Sequence, residues 1–230
     1  AFGDGTPDGS NMIEYHQYNQ SGIFNVVLTA TSNKGCQNTI QKLTEVYALP
    51  EIDFTSSQYC FDTPTYFSDF SSTQNGTIVD WDWDFGDEIG LTNTQHPSYL
   101  YRKAGTFWVS LSIITDRGCV NEDGKTITIV DLPTANFIAD ATICLGDDVI
   151  FSDLSAGNGS TIIEWEWDLG DGTTSSVQHP THKYSYAYIY DVSLSVTSES
   201  GCKNDTLIPA FVEVFSLPIA DFGVSTLYAS

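Results

Sequence analysis

The chain has 230 residues, of which 41% are hydrophobic and 13% aromatic, so it has enough apolar material for real cores and is not an intrinsically disordered sequence. Its 30 acidic and 8 basic residues give a formal net charge of −22, which excludes nucleic acid and anionic membrane surfaces as expected partners. No stretch approaches the ~18 consecutive apolar residues of a membrane helix, so we expect no membrane insertion.

The first element in chain order is the string Phe-Gly-Asp-Gly at residues 2–5, and it returns twice. Related strings begin at Phe85 and at Leu169. Three further landmarks recur at nearly the same spacing: Tyr18, Tyr101 and Tyr184; Gly35-Cys36, Gly118-Cys119 and Gly201-Cys202; Leu49-Pro50, Leu132-Pro133 and Leu217-Pro218. The period of about 83 residues predicts tandem copies of one small domain.

The Leu-Pro pairs divide the chain into four segments. We expect the C-terminal part of a truncated repeat at 1–50, complete repeats at 51–133 and 134–217, and the start of a further repeat at 218–230. Because the first segment lacks the opening strands of a repeat, we expect the chain to be part of a longer protein. The links are short and each contains a proline, which predicts a stiff, extended array whose repeats contact their neighbours in the same chain.

Within a repeat the pattern predicts β-strands. Trp81, Trp83 and Phe85 alternate with aspartates, and the corresponding stretch that ends at Leu169 alternates with acidic residues in the same way. Alternation with period two places aromatic side chains on one face and acidic side chains on the other. Turn-forming residues separate such runs, and no run of helical length shows helical periodicity. The predicted fold class is therefore all-β, with about seven strands in each immunoglobulin-like sandwich.

The recurring motif is similar to that of the PKD (polycystic kidney disease) repeat. In the second repeat it runs from Trp83-Asp84-Phe85-Gly86-Asp87 through His96-Pro97 and Tyr101 to Gly118. The third repeat carries the same pattern with Leu169 in place of Phe85. The core residues of this motif are Trp83, Phe85, Tyr101, Trp167, Leu169 and Tyr184. The resemblance implies a non-catalytic domain, and the version with two cysteines is similar to repeats of large Bacteroidetes surface proteins exported by type IX secretion, which include gliding adhesins.

Five cysteines occur at equivalent places in the repeats. Cys60 and Cys119 are 59 positions apart, and Cys144 and Cys202 are 58 apart, so the same pairing is available in both complete repeats. We expect the disulfides Cys60–Cys119 and Cys144–Cys202, with Cys36 unpaired because its partner would lie in the missing part of the first repeat. No spacing typical of a zinc site occurs. Disulfides predict an oxidising, extracellular location, at the bacterial cell surface.

Acidic residues and histidines are the remaining candidates for chemistry. The carboxylates on the acidic faces are weak candidates for calcium binding, and the alternative is that water simply solvates them. These residues are Asp80, Asp82, Asp84 and Asp87 in one repeat and Glu164, Glu166, Asp168 and Asp171 in the next. His96 and His179 are equivalent, but Ile13 stands at that position in the first segment, so packing before a proline is the expected role. We expect neither a catalytic site nor another cofactor.

Three functions remain open. The leading hypothesis is a structural stalk or spacer of a large secreted bacterial adhesin, in which contacts with surface proteins or glycans lie elsewhere. The alternative is an accessory module of a secreted polymer-degrading enzyme such as a chitinase or protease. A weaker alternative is direct glycan binding by the repeat, although both tryptophans of each pair are expected to pack inward.

Overall fold

A computed structural model describes residues 1–57 and 59–223, and every regular element in these ranges is a β-strand. The first segment contains β1 Gly22–Thr31 and β2 Gln37–Val46. The second repeat contains β3 Phe54–Ser57, β4 Thr65–Asp69, β5 Ile78–Asp84, β6 Leu91–Thr92, β7 Ser98–Tyr99, β8 Gly105–Thr115 and β9 Val120–Ile129. The third contains β10 Phe137–Ile138, β11 Thr142–Cys144, β12 Val149–Ile150, β13 Ser152–Asp153, β14 Ile162–Asp168, β15 Thr174–Ser175, β16 Thr181–His182, β17 Ile189–Ser198 and β18 Lys203–Phe215. The predicted all-β fold is confirmed.

The alternating aromatic and acidic strands are β5 and β14, and their alternation sets which side chains enter the core. Trp83 in β5 and Trp167 in β14 are buried, whereas the acidic residues that flank them are exposed. Both strands pair with the following long strand, and the register shifts at the same place, after Ile78 in β5 and after Ile162 in β14. The local geometry is therefore copied from one repeat to the next.

The second repeat is built from two sheets. One has the strand order β6-β5-β8-β9, and the other has the order β3-β4-β7. Aromatic side chains fill the space between them: the ring of Trp83 lies 4.9 Å from that of Phe54 and 5.5 Å from that of Phe67, measured between centroids. This is the inter-sheet core of an immunoglobulin-like sandwich.

The third repeat shows the same arrangement with a more divided second sheet. Its main sheet has the order β11-β18-β17-β14-β15, and the short pairs β10-β13 and β12-β16 lie opposite. Trp167 again packs between two phenylalanines, with centroid distances of 5.1 Å to Phe137 and 5.6 Å to Phe151. The tryptophan of each repeat is thus the centre of its core.

The first segment forms a long antiparallel hairpin of β1 and β2. Leu28 in β1 is 64% exposed, although its equivalent in the second repeat, Leu111, is fully buried. Ile23, Ile40 and Leu43 of the hairpin are also largely exposed. The hairpin therefore has a complete ladder but a sparsely covered apolar face.

The described residues form two compact units whose limits differ from the sequence repeats. The first unit contains residues 1–57, 64–100 and 106–127, and the second contains 59–63, 101–105 and 128–223. The boundaries at 50, 133 and 217 remain predictions, and residues 224–230 of the predicted fourth segment lie outside the described residues.

No helix long and apolar enough to span a bilayer occurs in the part of the chain that the structure describes.

Candidate functional site

All six residues predicted to form the core motif are buried. Trp83, Phe85, Tyr101, Trp167, Leu169 and Tyr184 are each no more than 2% exposed. The Tyr184 hydroxyl donates to the carbonyl of Leu169 at 2.8 Å, which ties the tyrosine to the turn that follows β14. Burial raises the pKa of Tyr184 well above its ordinary value, so the hydroxyl stays protonated and keeps donating.

The aspartate of each Gly-Asp turn bonds to an aromatic ring 11 or 12 positions further along the chain. Asp4 Oδ2 lies 2.7 Å from His16 Nε2, and Asp171 Oδ2 lies 2.8 Å from His182 Nε2. At the equivalent place in the second repeat the Tyr99 hydroxyl donates to Asp87. A hydrogen bond from the Thr6 hydroxyl, helped by His16, lowers the pKa of Asp4 to about 2. These carboxylates are therefore anionic turn supports, and the sequence alone did not reveal their ring partners.

A larger polar network surrounds Asp153 in the third repeat. Its Oδ2 accepts hydrogen bonds from Trp165 Nε1 at 2.8 Å and from Gln178 Nε2 at 3.0 Å. Its Oδ1 accepts from the backbone N–H of Ser155 at 2.9 Å. Its own backbone N–H donates to His179 Nδ1 at 3.1 Å, so this ring nitrogen carries no proton. The network connects a strand of one sheet to a strand of the other.

The second repeat contains the same network around Asp69. Trp81 and Gln95 donate to Asp69 Oδ2 at 2.7 and 3.1 Å, and the backbone N–H of Asp69 donates to His96 Nδ1 at 3.1 Å. Partial burial would raise the pKa of Asp69, but hydrogen bonds from Ser71, Gln95 and Trp81 outweigh it and hold the pKa below its ordinary value. Both predicted histidines thus accept a backbone hydrogen bond. The sequence did contain a signal for this network, because an Asp-x-Ser motif and a later Gln-His pair recur at nearly the same separation in both repeats.

We expect the variant Asp153→Asn to weaken the third repeat and to flatten the dependence of its stability on pH. Burial opposes ionisation of Asp153, but hydrogen bonds from Ser155 and Gln178 outweigh it and lower the pKa in the folded state. A carboxylate with a depressed folded pKa stabilises the fold above its unfolded pKa of about 4, and this contribution is lost as the pH falls through the folded value. At neutral pH the variant should lose about 1 to 2 kcal/mol, because an amide cannot accept all of these hydrogen bonds.

Urea unfolding at several pH values between about 7 and about 2 measures this effect. The exposed Asp205→Asn removes the same charge and is the matched control, which should retain the steeper loss of stability in acid. A pH dependence of Asp153→Asn equal to that of the control would contradict the assigned role.

The predicted calcium candidates do not converge. In residues 1–57 and 59–223, no group of three or more histidine, cysteine, aspartate or glutamate side chains could hold a metal ion. Asp84 and Asp168 each accept the backbone N–H two residues onward, at 2.8 and 3.0 Å, and Glu166 pairs with Lys203 at 2.6 Å. Alternate residues of a strand are nearly 7 Å apart, so the outward carboxylates lie in a row instead of enclosing one ion. These acidic residues do not fit a calcium site.

The predicted cysteine pairing is wrong. The disulfide joins Cys60 to Cys202, which are 142 positions apart, and not Cys60 to Cys119 or Cys144 to Cys202. Among the described cysteines, Cys36, Cys119 and Cys144 are free. Residues 59–63 belong to the second compact unit, so the bond lies within that unit although it joins two successive sequence repeats.

Strand length explains why the predicted pairs cannot form. Cys144 pairs with Phe215 at the end of β18, whereas Cys202 immediately precedes the start of that strand. Thirteen residues at ~3.3 Å per residue separate these positions by about 40 Å, far beyond the ~7 Å limit between the Cα atoms of bonded cysteines. Cys60 bridges to Val130, the residue after the end of β9, and Cys119 immediately precedes β9, so the second repeat has the same arrangement.

An asparagine on the last strand of each complete repeat holds the proline link that precedes that repeat. Asn121 Nδ2 donates to the carbonyl of Pro50 at 2.9 Å, and Asn204 Nδ2 donates to that of Pro133 at 2.8 Å. In the second case Asn158 Nδ2 also donates to the carbonyl of Leu132 at 2.8 Å. The link is therefore fixed by hydrogen bonds as well as by the restricted backbone of proline.

We expect Asn204→Ala to lower the free energy of unfolding of the second unit by about 1 kcal/mol, because the Pro133 carbonyl loses its donor. Hydrogen exchange should increase at the amides around Pro133 in the same variant. Asn38→Ala is the matched control, since Asn38 occupies the equivalent repeat position and its amide oxygen accepts only the neighbouring N–H of Thr39. Equal changes in both variants would contradict a role for Asn204 in fixing the link.

The two sandwiches, each with a buried tryptophan between two phenylalanines and a buried tyrosine, define a tandem immunoglobulin-like repeat protein. The sequence profile of the family described as PKD domain matches residues 47–131 and 130–211. The chain belongs to the PKD domain family.

Related proteins carry this domain as a small part of larger enzymes. The chain is 35% identical over 134 residues to the pre-pro-metalloprotease PrtV of Vibrio cholerae, a match that covers 57% of this chain and 14% of the protease. It is 36% identical over 78 residues to a microbial collagenase of Vibrio alginolyticus, covering 34% of this chain and 10% of the collagenase. The crystal structure of the PKD1 domain of Vibrio cholerae PrtV is 27% identical, with 36% of this chain and 98% of that domain covered and a TM-score of 0.34. The chain therefore spans only a small part of the full-length protease and collagenase.

Proposed function

We propose that this chain is the non-catalytic accessory PKD region of a larger secreted, polymer-degrading enzyme of the protease class. The observation that carries the proposal is the 35% identity over 134 residues with a metalloprotease, supported by the separate match to a collagenase. The alternative weighed from the sequence is thus better supported than the adhesin stalk. In this role the repeats set the distance and orientation between a catalytic domain and its polymer.

The use of the polar residues supports a structural role. In the third repeat the Asp153 network and the Asp171–His182 pair are occupied in joining strands and supporting turns. In the second repeat the Asp69 network and Asp87 are occupied in the same way. These groups stabilise the fold and are not arranged as a nucleophile with its base.

The disulfide supports export. Bonds such as Cys60–Cys202 persist in oxidising compartments, which fits an extracellular protein. We place the parent protein outside the cell on this basis.

A second candidate is the stalk of a cell-surface adhesin of the Bacteroidetes type. The covalent tie between Cys60 and Cys202 favours it, because a bond that joins successive repeats resists extension. Direct glycan binding is the weaker candidate. The exposed rings of Trp108, Tyr186 and Tyr188 would be its contacts, since Trp83 and Trp167 are buried.

The intact parent protein distinguishes the first two candidates. Intact-mass measurement with sequencing of the flanking regions should find a protease catalytic domain beside a small number of PKD repeats. A long array of repeats with no catalytic domain would overturn the proposal and favour the stalk.

Cosedimentation of the 230-residue chain with insoluble collagen and with chitin tests direct binding. The accessory role as a spacer predicts that the chain stays in the supernatant with both polymers. Binding to chitin that Trp108→Ala or Tyr188→Ala abolishes would establish the glycan-binding candidate instead.

A further inference from the structure

Three cysteines occupy the same hairpin turn in three successive copies. In each turn the cysteine carbonyl accepts a hydrogen bond from the backbone N–H of the residue four positions earlier. The cysteines are Cys36, Cys119 and Cys202. The donors are Ser32 at 2.8 Å, Thr115 at 3.0 Å and Ser198 at 2.8 Å. These three are called the turn cysteines. One of them, Cys202, is bonded in the structure.

The other two cysteines share a second environment, beside the end of the last strand of their own repeat. The residue after each donates its backbone N–H to that strand: Phe61 to Val130 at 2.8 Å, and Leu145 to Phe215 at 2.8 Å. The carbonyls of Cys60 and Cys144 both accept the N–H three positions onward, at 3.3 and 3.1 Å. These two are called the strand-end cysteines. Cys60 is bonded, whereas Cys144 is free and exposed.

The disulfide formed among the described cysteines therefore joins a strand-end cysteine to the turn cysteine of the next repeat. Cys144 has the backbone environment of Cys60, and Cys119 has that of Cys202. The sequence after Cys144 reaches Leu217-Pro218, which repeats the link at Leu132-Pro133. Leu217 lies 73 positions after Cys144, and Leu132 lies 72 positions after Cys60. Each link therefore occupies an equivalent position relative to the strand-end cysteine that precedes it.

We propose that Cys144 is one half of a disulfide site whose partner is the turn cysteine of a PKD repeat following directly on the Leu217-Pro218 link. Cys119 is correspondingly the site for the strand-end cysteine of the repeat that precedes residues 51–133. The disulfides are then staggered along the array, each bonding one repeat to the next and none closing within a repeat. This inference does not depend on whether the parent protein is an enzyme or an adhesin.

The bond forms by thiol–disulfide exchange with an external disulfide oxidant such as glutathione disulfide. The thiolate of Cys144 attacks the oxidant and releases one glutathione thiol. The turn cysteine then attacks the resulting mixed disulfide and releases the second. Two protein thiols are oxidised and one glutathione disulfide is reduced to two thiols, so protons and electrons balance. Exposure of Cys144 permits the first attack.

The test inserts a second copy of residues 133–217 between Leu217 and Pro218 of the full chain, so that the added repeat also follows a Leu-Pro link. The added turn cysteine then lies 143 positions after Cys144, close to the separation of 142 between Cys60 and Cys202. After refolding in a glutathione redox buffer, remaining thiols are alkylated and peptides are mapped without reduction. We expect two cross-linked peptide pairs, Cys60 with Cys202 and Cys144 with the added turn cysteine.

Two controls make the result decisive. In the extended chain, Cys144→Ser should leave the added turn cysteine alkylated and keep the Cys60–Cys202 pair, while circular dichroism shows an unchanged β-sheet spectrum. In the unextended chain, Cys144 should be alkylated and the protein should run as a monomer on a non-reducing gel. The proposal would be overturned by a bond between Cys144 and Cys202, or by a free Cys144 in the extended chain. It would also be overturned if the unextended chain formed Cys144–Cys119 dimers as readily as the extended chain forms its second disulfide.

Discussion

Replacing Cys60 by serine is expected to lower the free energy of unfolding of the second unit by about 4 to 5 kcal/mol. The disulfide closes a loop of 142 positions, and in the chain-entropy model such a loop removes much of the conformational freedom of the unfolded state. A loss of this size is a large part of the stability of a small domain. Urea unfolding followed by pulsed hydrogen exchange and mass spectrometry resolves the peptides of residues 128–223 and measures the effect.

Cys144→Ser is the matched control for this experiment. Cys144 is exposed and free, so its replacement should change the unfolding free energy by no more than about 0.5 kcal/mol. Cys202→Ser should repeat the effect of Cys60→Ser, since either change removes the same bond. Equal stability of Cys60→Ser and Cys144→Ser would show that the bond does not contribute to the native protein.

The second large effect concerns the turn after β14, where Gly170→Ala should cost about 3 kcal/mol. Gly170 has a φ of +84°, and a Cβ there would lie 2.2 Å from the backbone oxygen of Asp191. The left-handed backbone costs about 1 kcal/mol for alanine, and displacing a paired strand adds overpacking strain of about 1 to 3 kcal/mol.

Gly172 separates these two causes, because it has nearly the same φ, +88°, but open space around the position of a Cβ. Gly172→Ala should therefore cost only about 1 kcal/mol. Thermal and urea unfolding of the two variants give the comparison. Equal losses would mean that backbone conformation alone requires glycine at residue 170, and that the close approach to Asp191 does not matter.

Much of the fold was predictable because it depends on short-range patterns. The alternation around Trp83 and Trp167 defines β5 and β14, and the recurrence of the Gly-Asp turn and the tyrosine defines the unit that is copied. Each of these signals lies within a few residues or recurs at nearly constant spacing, so one sequence contains enough information to detect it.

The polar networks were less predictable because their members are distant in sequence. Asp153 lies in β13 and His179 lies 26 positions later, in the loop between β15 and β16, so neither residue indicates the other by local spacing. The sequence led us to expect that both histidines pack before a proline, whereas their side chains are exposed and accept a backbone hydrogen bond. Their acceptance of a backbone hydrogen bond required the register of the two sheets.

The cysteine pairing failed for a related reason. In a repeated sequence a cysteine has equivalent partners in its own copy and in neighbouring copies, and counting positions cannot choose between them. The length of β18, which separates Cys144 from Cys202, makes the choice. The observed length of β18, combined with the limit on the distance between bonded cysteines, excludes the pairing within a repeat.

The pairing of the cysteines is also the most direct test of how the repeats are joined. Non-reducing peptide mapping of the native 230-residue chain, after alkylation of free thiols, identifies each bonded pair. The structure predicts one cross-linked pair, Cys60 with Cys202, and alkylated Cys36, Cys119 and Cys144. Recovery of Cys60 bonded to Cys119 together with Cys144 bonded to Cys202 would contradict it.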